Sequence, residues 1–213
     1  MPTKATKAFD KGATLINKHD FEASLAYFQK AIELAPNLFP PYHNLALAQY
    51  NLGRLDDAAK NFEKAIELSK GTFGPSFFGL AMVLYERREF TEAQRAVQQG
   101  LLVDPGSPVG QFYLGLTQYS LGNTAEAQRN ALEVVRSDPR ISGGHLLLAH
   151  VHERLHDPEA VLADVDTYLK QTTDKDLRGD AVALRERAEQ NLAHASDAIE
   201  RKSGRAEEQN PTE

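Results

Sequence analysis

An all-helical repeat array is the fold this sequence predicts, and three observations carry it. The chain has a period of 34 residues, small side chains recur at two fixed places in each period, and proline ends several periods. The period shows in three superposable stretches, DFEASLAYFQKAIELAPN at 20–37, RLDDAAKNFEKAIELSKG at 54–71 and EFTEAQRAVQQGLLVDPG at 89–106. Aligned on them, the chain divides into repeats 5–38, 39–72, 74–107 and 108–141, with Phe73 a single insertion. A fifth, shorter by about one residue, spans 142–174.

Each repeat reads as two antiparallel helices. The eighth place holds Gly12, Ala46, Ala81, Gly115 and Ala149. The twentieth holds Ser24, Ala58, Ala93, Ala127 and, allowing for the deletion, Ala160. Two helix backbones approach closely only where no large side chain holds them apart, so overpacking such a site destabilises by about 1–3 kcal/mol. Leu45, Leu80, Leu114 and Leu148 fill the seventh place. Pro36, Pro105 and Pro139 stop second helices, since proline cannot continue one, while Gly53, Gly122 and Asp157-Pro158 mark the turns within repeats. Repeat one carries Lys11 where Leu is expected, as suits an end repeat with one wet face; repeat two replaces the proline with Lys70. Repeat five puts Asp164 at the usual aromatic place, which predicts loose packing there. Residues 175–202 read as a capping helix with one apolar stripe, Leu177, Ala181, Leu184, Ala188, Leu192, Ala195 and Ile199. From Ser203 to Glu213 the chain is polar and is expected to be disordered.

Composition narrows the function classes. The 213 residues are 41% hydrophobic and 25% charged, with a formal charge of −6, so there is no basic stripe to displace counterions from nucleic acid. No Lys/Arg cluster suits an anionic membrane surface, and no apolar run is long enough to span a bilayer. Absence of cysteine removes disulfides, thiolate catalysis and Cys-based zinc sites. Without a visible export signal the expected compartment is the cytoplasm, or the periplasm or beyond if this is a piece of a longer chain.

The pattern of a large residue, Leu, Gly, Tyr, Ala, Phe and Pro at these offsets resembles the tetratricopeptide repeat (TPR) in five consecutive copies over about 170 residues. That resemblance implies a TPR α-solenoid, a right-handed superhelix of helix pairs whose first helices line a concave face, and a scaffold or adaptor that binds protein. It also gives the chain a bacterial look, similar to repeat proteins that assist complex assembly. No cofactor and no catalysis are expected.

Places five, nine and twelve of the first helices share one stripe. With their neighbours they give a candidate partner groove of Phe9, His43, Asn44, Leu47, Tyr50, Phe78, Met82, Tyr85, Phe112, Tyr113, Leu116 and Tyr119; in repeat five the stripe reads Leu146, His150, Glu153. A contiguous apolar surface of this kind suits an apolar or amphipathic segment of a protein partner. The competing reading is that these side chains pack between repeats, and a third has the chain self-assembling, as a weak homo-oligomer, through the groove or the capping helix. The Hsp70/Hsp90 carboxylate clamp known from this family is not matched: its places hold Phe9, Ala13, Asn44, Pro75 and Gly79, with no cation. The asparagine ladder of sugar-transferase repeats fails too, the sixth place reading Asp10, Asn44, Gly79, Tyr113, Leu147.

One motif points elsewhere. His152-Glu153-Arg154-Leu155-His156 matches H-E-x-x-H, in which two histidines on one helix face hold zinc and the glutamate activates water. Asp157-Pro158 ends the helix too soon, the eleventh place of His152 faces the partner helix, and only His194 and Glu189 offer themselves as a third ligand. The match is therefore read as fortuitous and the expected metal site as none; a zinc-dependent hydrolase is the remote alternative.

Overall fold

The computed structural model describes residues 3–172 and 178–208, with side chains over 4–172 and 178–198. Among these residues the chain forms helices and no strand, as an all-α TPR fold. It divides into two bodies, Met1–Asn123 and Thr124–Glu213. The first holds α1 (Thr3–Asn17), α2 (Phe21–Leu34), α3 (Phe39–Asn51), α4 (Leu55–Leu68), α5 (Gly74–Glu86), α6 (Phe90–Val103) and α7 (Pro108–Ser120). The second holds α8 (Thr124–Ser137), α9 (Gly143–Arg154), α10 (Pro158–Gln171) and α11 (Arg178–Glu208).

Local chemistry sets these boundaries. Asp20, Ser107 and Asp157 cap their helices, each accepting from the backbone N–H three residues on. Proline stands in the first turn of α3, α5, α7 and α10, where its missing N–H leaves no bond unmade. Between the paired helices, place fifteen always adopts a left-handed backbone: His19, Gly53, Arg88, Gly122 and His156 have φ between 59° and 86°. Two of the five are the glycines marked as turns; the other three reach the same conformation at the cost of a Cβ clash.

Within the first body, aromatic knobs fill holes left by small residues. Phe28 and Phe62, at place twenty-four, are fully buried. A Cβ on Gly12 would lie 2.7 Å from the Phe28 ring, and one on Gly79 2.3 Å from the Phe62 ring. Ala46, Ala58, Ala81 and Ala93 are fully buried at the two small-residue places. Burying a phenylalanine stabilises by about 1.5–3 kcal/mol, available only because glycine or alanine lets the ring in.

The second body corrects two readings of repeat five. No residue is deleted: α10 sets Val161 at place twenty, 1% exposed, and leaves Ala160 half-buried. The following knob is Val165, fully buried, with Tyr168 2% exposed, while Asp164 stands one position earlier. The pair is therefore tightly packed, Ala149, Val161, Val165 and Tyr168 sharing one core with Ala181, Leu184 and Ala188 of α11.

In α11 the apolar stripe is buried at Ala181, Leu184 and Ala188, half-buried at Leu192 and exposed at Ala195. Leu177 lies outside the described residues, as does the side chain of Ile199. Arg178 donates to the carbonyls of Leu169 and Thr172, closing the end of α10. The helix runs on to Glu208, past Ser203 where the polar composition predicts disorder, because its Glu, Arg, Lys and Ala residues favour helix; residues 209–213 lie outside the described residues. No described helix is long and apolar enough to cross a membrane.

Candidate functional site

The first helices α3, α5 and α7 stand side by side in the first body, α3 touching α5 and α5 touching α7. Between them lies an apolar recess of about 290 Å³, lined by His43, Leu47, Pro75, Phe78, Gly79, Met82, Ser107, Val109 and Tyr113. It brings together five residues of the candidate groove: His43, Leu47, Phe78 and Met82 from the stripe, and Tyr113 from the place beside it. Pro75, Ser107 and Val109 come from helix starts instead, where a stripe read at places five, nine and twelve does not look; Val109 is 45% exposed.

The members contribute unequally. Phe78 is 4% exposed, and a Cβ on Gly100 or Gly110 would lie 2.4 Å or 2.7 Å from its ring. It floors the recess and is locked by packing. Leu47, Met82 and Tyr113 are half-buried. His43 shares a hydrogen bond of 3.1 Å with Ser76 and stacks edge-on against Phe62 and the inserted Phe73. Burial pushes its pKa from 6.5 to about 4, so its imidazole is neutral at physiological pH.

One turn further along, Tyr50 donates to Glu86 at 3.4 Å, and Tyr85 accepts from Ser120 at 3.2 Å. Burial, and then the Glu86 charge, raises Tyr50 to about 12. Tyr113 is raised as well, first by burial and then by Tyr50, Glu86 and Tyr85.

Other predicted positions serve elsewhere. Phe9 packs on Phe28, ring centroids 5.9 Å apart. Asn44 donates to the Pro40 carbonyl at 3.0 Å, so the one residue matching the carboxylate clamp is tied to its own helix. Phe112 contacts Tyr113 ring to ring; with Leu116 and Tyr119 it is half-buried on α7 outside the recess.

In the second body the stripe is in contact with α11: His150 bonds Asp180 at 2.8 Å, and Glu153 accepts from Arg187. His145 and His152 both bond Asp164, at 3.0 and 2.8 Å, and His152 meets Gln128 through its other nitrogen. His156 stands beyond the end of α9 with φ 60° and is exposed, so the second histidine of H-E-x-x-H does not share a helix face with the first.

Comparison with known proteins gives the family. Tetratricopeptide-repeat models match residues 4–70, and 43–106 with 78–139. The chain is 30% identical over 117 residues to "Protein STIP1 homolog" of Dictyostelium discoideum, which covers 55% of this chain and 21% of that protein. It is 28% identical over 104 residues to "Hsp70-Hsp90 organizing protein 3" of Arabidopsis thaliana, covering 49% of this chain and 18% of the relative. The chain thus spans about a fifth of the length of these relatives. Among solved structures, YrrB, "a TPR protein with an unusual peptide-binding site", superposes with a TM-score of 0.61 at 19% identity, covering 84% of this chain and 90% of that one. Repeat spacing, helix pairing and family models agree, and the chain belongs to the tetratricopeptide-repeat family.

Proposed function

We propose that this chain is a protein-interaction adaptor, not an enzyme, and that it holds an apolar or amphipathic segment of a partner in the α3–α5–α7 groove. The single observation that carries the reading is the recess, whose floor and walls are side chains of three successive first helices with no Asp, Glu, Lys or Arg among them. Concave, largely apolar surfaces with a few placed polar groups are where proteins bind segments of others. An adaptor role also agrees with the kind of relatives found, which include an Hsp70-Hsp90 organizing protein. The engagement of His152 by Asp164 and of Glu153 by Arg187 supports reading the HERLH segment as structural.

The test is selection of a displayed random-peptide library against the full chain, followed by binding measurements on Leu47→Asp and Met82→Asp. Both side chains are half-buried rather than core, so helicity by circular dichroism is expected to persist. Each substitution sets a carboxylate in an apolar recess and is expected to weaken the selected peptides at least tenfold. Equal binding to wild type and both variants defeats the assignment of the groove.

A further inference from the structure

The recess has a charged neighbour. Met82 and Glu86 lie four residues apart on α5, and Leu47 and Tyr50 three apart on α3, so one turn, about 5–6 Å, separates the apolar wall from the Tyr50–Glu86 pair along both helices. Tyr113 belongs to both, lining the recess while its phenol lies within electrostatic reach of Tyr50, Tyr85 and Glu86. Burial raises Tyr50 and Tyr113 and keeps both phenols protonated at physiological pH, and Glu86, exposed at the rim, carries the formal charge beside them. The next side chain in sequence does not neutralise it: Arg87 is engaged by Asp56 at 3.3 Å and Glu89 at 2.7 Å. Nor does His43, which is uncharged at that pH.

We propose that the segment this groove takes is cationic: an amphipathic stretch of a partner protein whose aliphatic or aromatic side chain fills the recess and whose Lys or Arg, one helical turn away, meets Glu86 among Tyr50, Tyr85 and Tyr113. The inference rests on the groove reading above and specifies the chemistry of its occupant. The attraction rests on the Glu86 carboxylate, which already accepts from the Tyr50 hydroxyl and is exposed at the edge of the apolar wall. An acidic residue at the same place meets Glu86 and the oxygen-rich rim with no counter-charge, so the arrangement also selects against the acidic tails that a carboxylate clamp would welcome. The chain's net charge of −6 argues in the same direction, for a basic partner over a second copy of itself.

The experiment reads the composition of twelve-residue peptides selected from the random library on the full chain, then their affinity for Glu86→Gln and Tyr50→Phe. Glu86→Gln keeps an acceptor for Tyr50 at an exposed position, and a denaturant midpoint equal to wild type confirms that its fold is kept. Enrichment of Lys or Arg three or four positions from Leu, Ile, Met or Phe is expected, with about tenfold weaker binding to Glu86→Gln and affinity falling as salt rises. Apolar peptides without basic bias, or binding indifferent to Glu86→Gln, overturn the cation while leaving the groove intact. No enrichment at all, or binding indifferent to Met82→Asp, overturns the groove reading and this one together. Sedimentation that shows a dimer abolished by Met82→Asp makes a second copy the occupant and overturns the proposal.

Discussion

The two bodies build the same repeat with different chemistry. In the first, repeats one and two are locked by shape, Phe28 and Phe62 seated against glycine and alanine, while cross-helix polar bonds are both buried, as His43 to Ser76, and superficial, as Arg54 to Glu22. In the second, Val165 takes the knob place, as Val97 does in repeat three, and polar side chains share the work of holding α9, α10 and α11. Asp164 gathers His145 and His152, Asp180 holds His150, Asp166 pairs with Arg185 and Glu153 with Arg187. Side chains at the stripe places of repeat five are committed to α11, whereas in the first body Leu47 and Met82 border an open apolar recess.

The largest test of this contrast is truncation of equivalent knobs. Phe62→Ala empties a fully buried ring site and is expected to cost about 3–5 kcal/mol. Val165→Ala, at the same place of repeat five, removes fewer carbons beside polar pairs that remain, and about 2 kcal/mol is expected. Native-state hydrogen exchange reads each body separately, which matters where the two need not unfold together. Equal losses at the two sites would dissolve the distinction.

Next in size is the pH response of the first body, through His43. Its folded pKa of about 4 lies below the ordinary 6.5, so the unfolded chain binds the extra proton between these values. Stability linked to His43 is therefore whole above pH 6.5, declines as pH falls from 6.5 to 4, and levels off below. The total is up to about 3 kcal/mol, since a pKa difference of one between folded and unfolded chain is worth about 1.4 kcal/mol. The expected readout is an imidazole resonance that stays neutral down to about pH 4, with a wild-type stability decline between pH 6.5 and 4 that flattens in His43→Gln. A resonance that titrates near 6.5 would show the ring open to water and the wall of the recess penetrated by solvent.

What could be read from the sequence follows the same division. Helix pairing is legible wherever spacing and side-chain volume carry one message, as at Ala46, Ala58 and Phe62. It fails at repeat five, where demanding a small residue at place twenty implies a deletion that the helix does not contain. Place twenty admits a larger residue there, and Val161 is 1% exposed in one core with Val165 and Tyr168. The groove is half legible. A helix-face stripe finds Leu47 and Met82, with Tyr113 at the place beside it, but it cannot show that Phe78 is held by Gly100 and Gly110 from a second helix and a third. It also has no access to Pro75 and Val109, whose place in the recess depends on how one helix start meets the next.

The smallest expected effect concerns a backbone feature that both bodies share. Place fifteen is left-handed in all five repeats, yet glycine marks it only at Gly53 and Gly122. At Arg88, with φ 62°, a Cβ crowds the following carbonyl at a cost of roughly 1–2 kcal/mol, while glycine in its place would lose more chain entropy on folding, about 0.5–1 kcal/mol. The difference favours Arg88→Gly by about 0.5–1 kcal/mol. His156→Gly, in the second body at φ 60°, is expected to gain the same, because the turn geometry and not the surrounding chemistry sets the effect. Denaturant midpoints of the two variants sharpen the comparison. A gain at Arg88 matched at His156 isolates what the repeat imposes on every copy, and a loss at either would show that its side chain holds the turn by contacts that outweigh the strain.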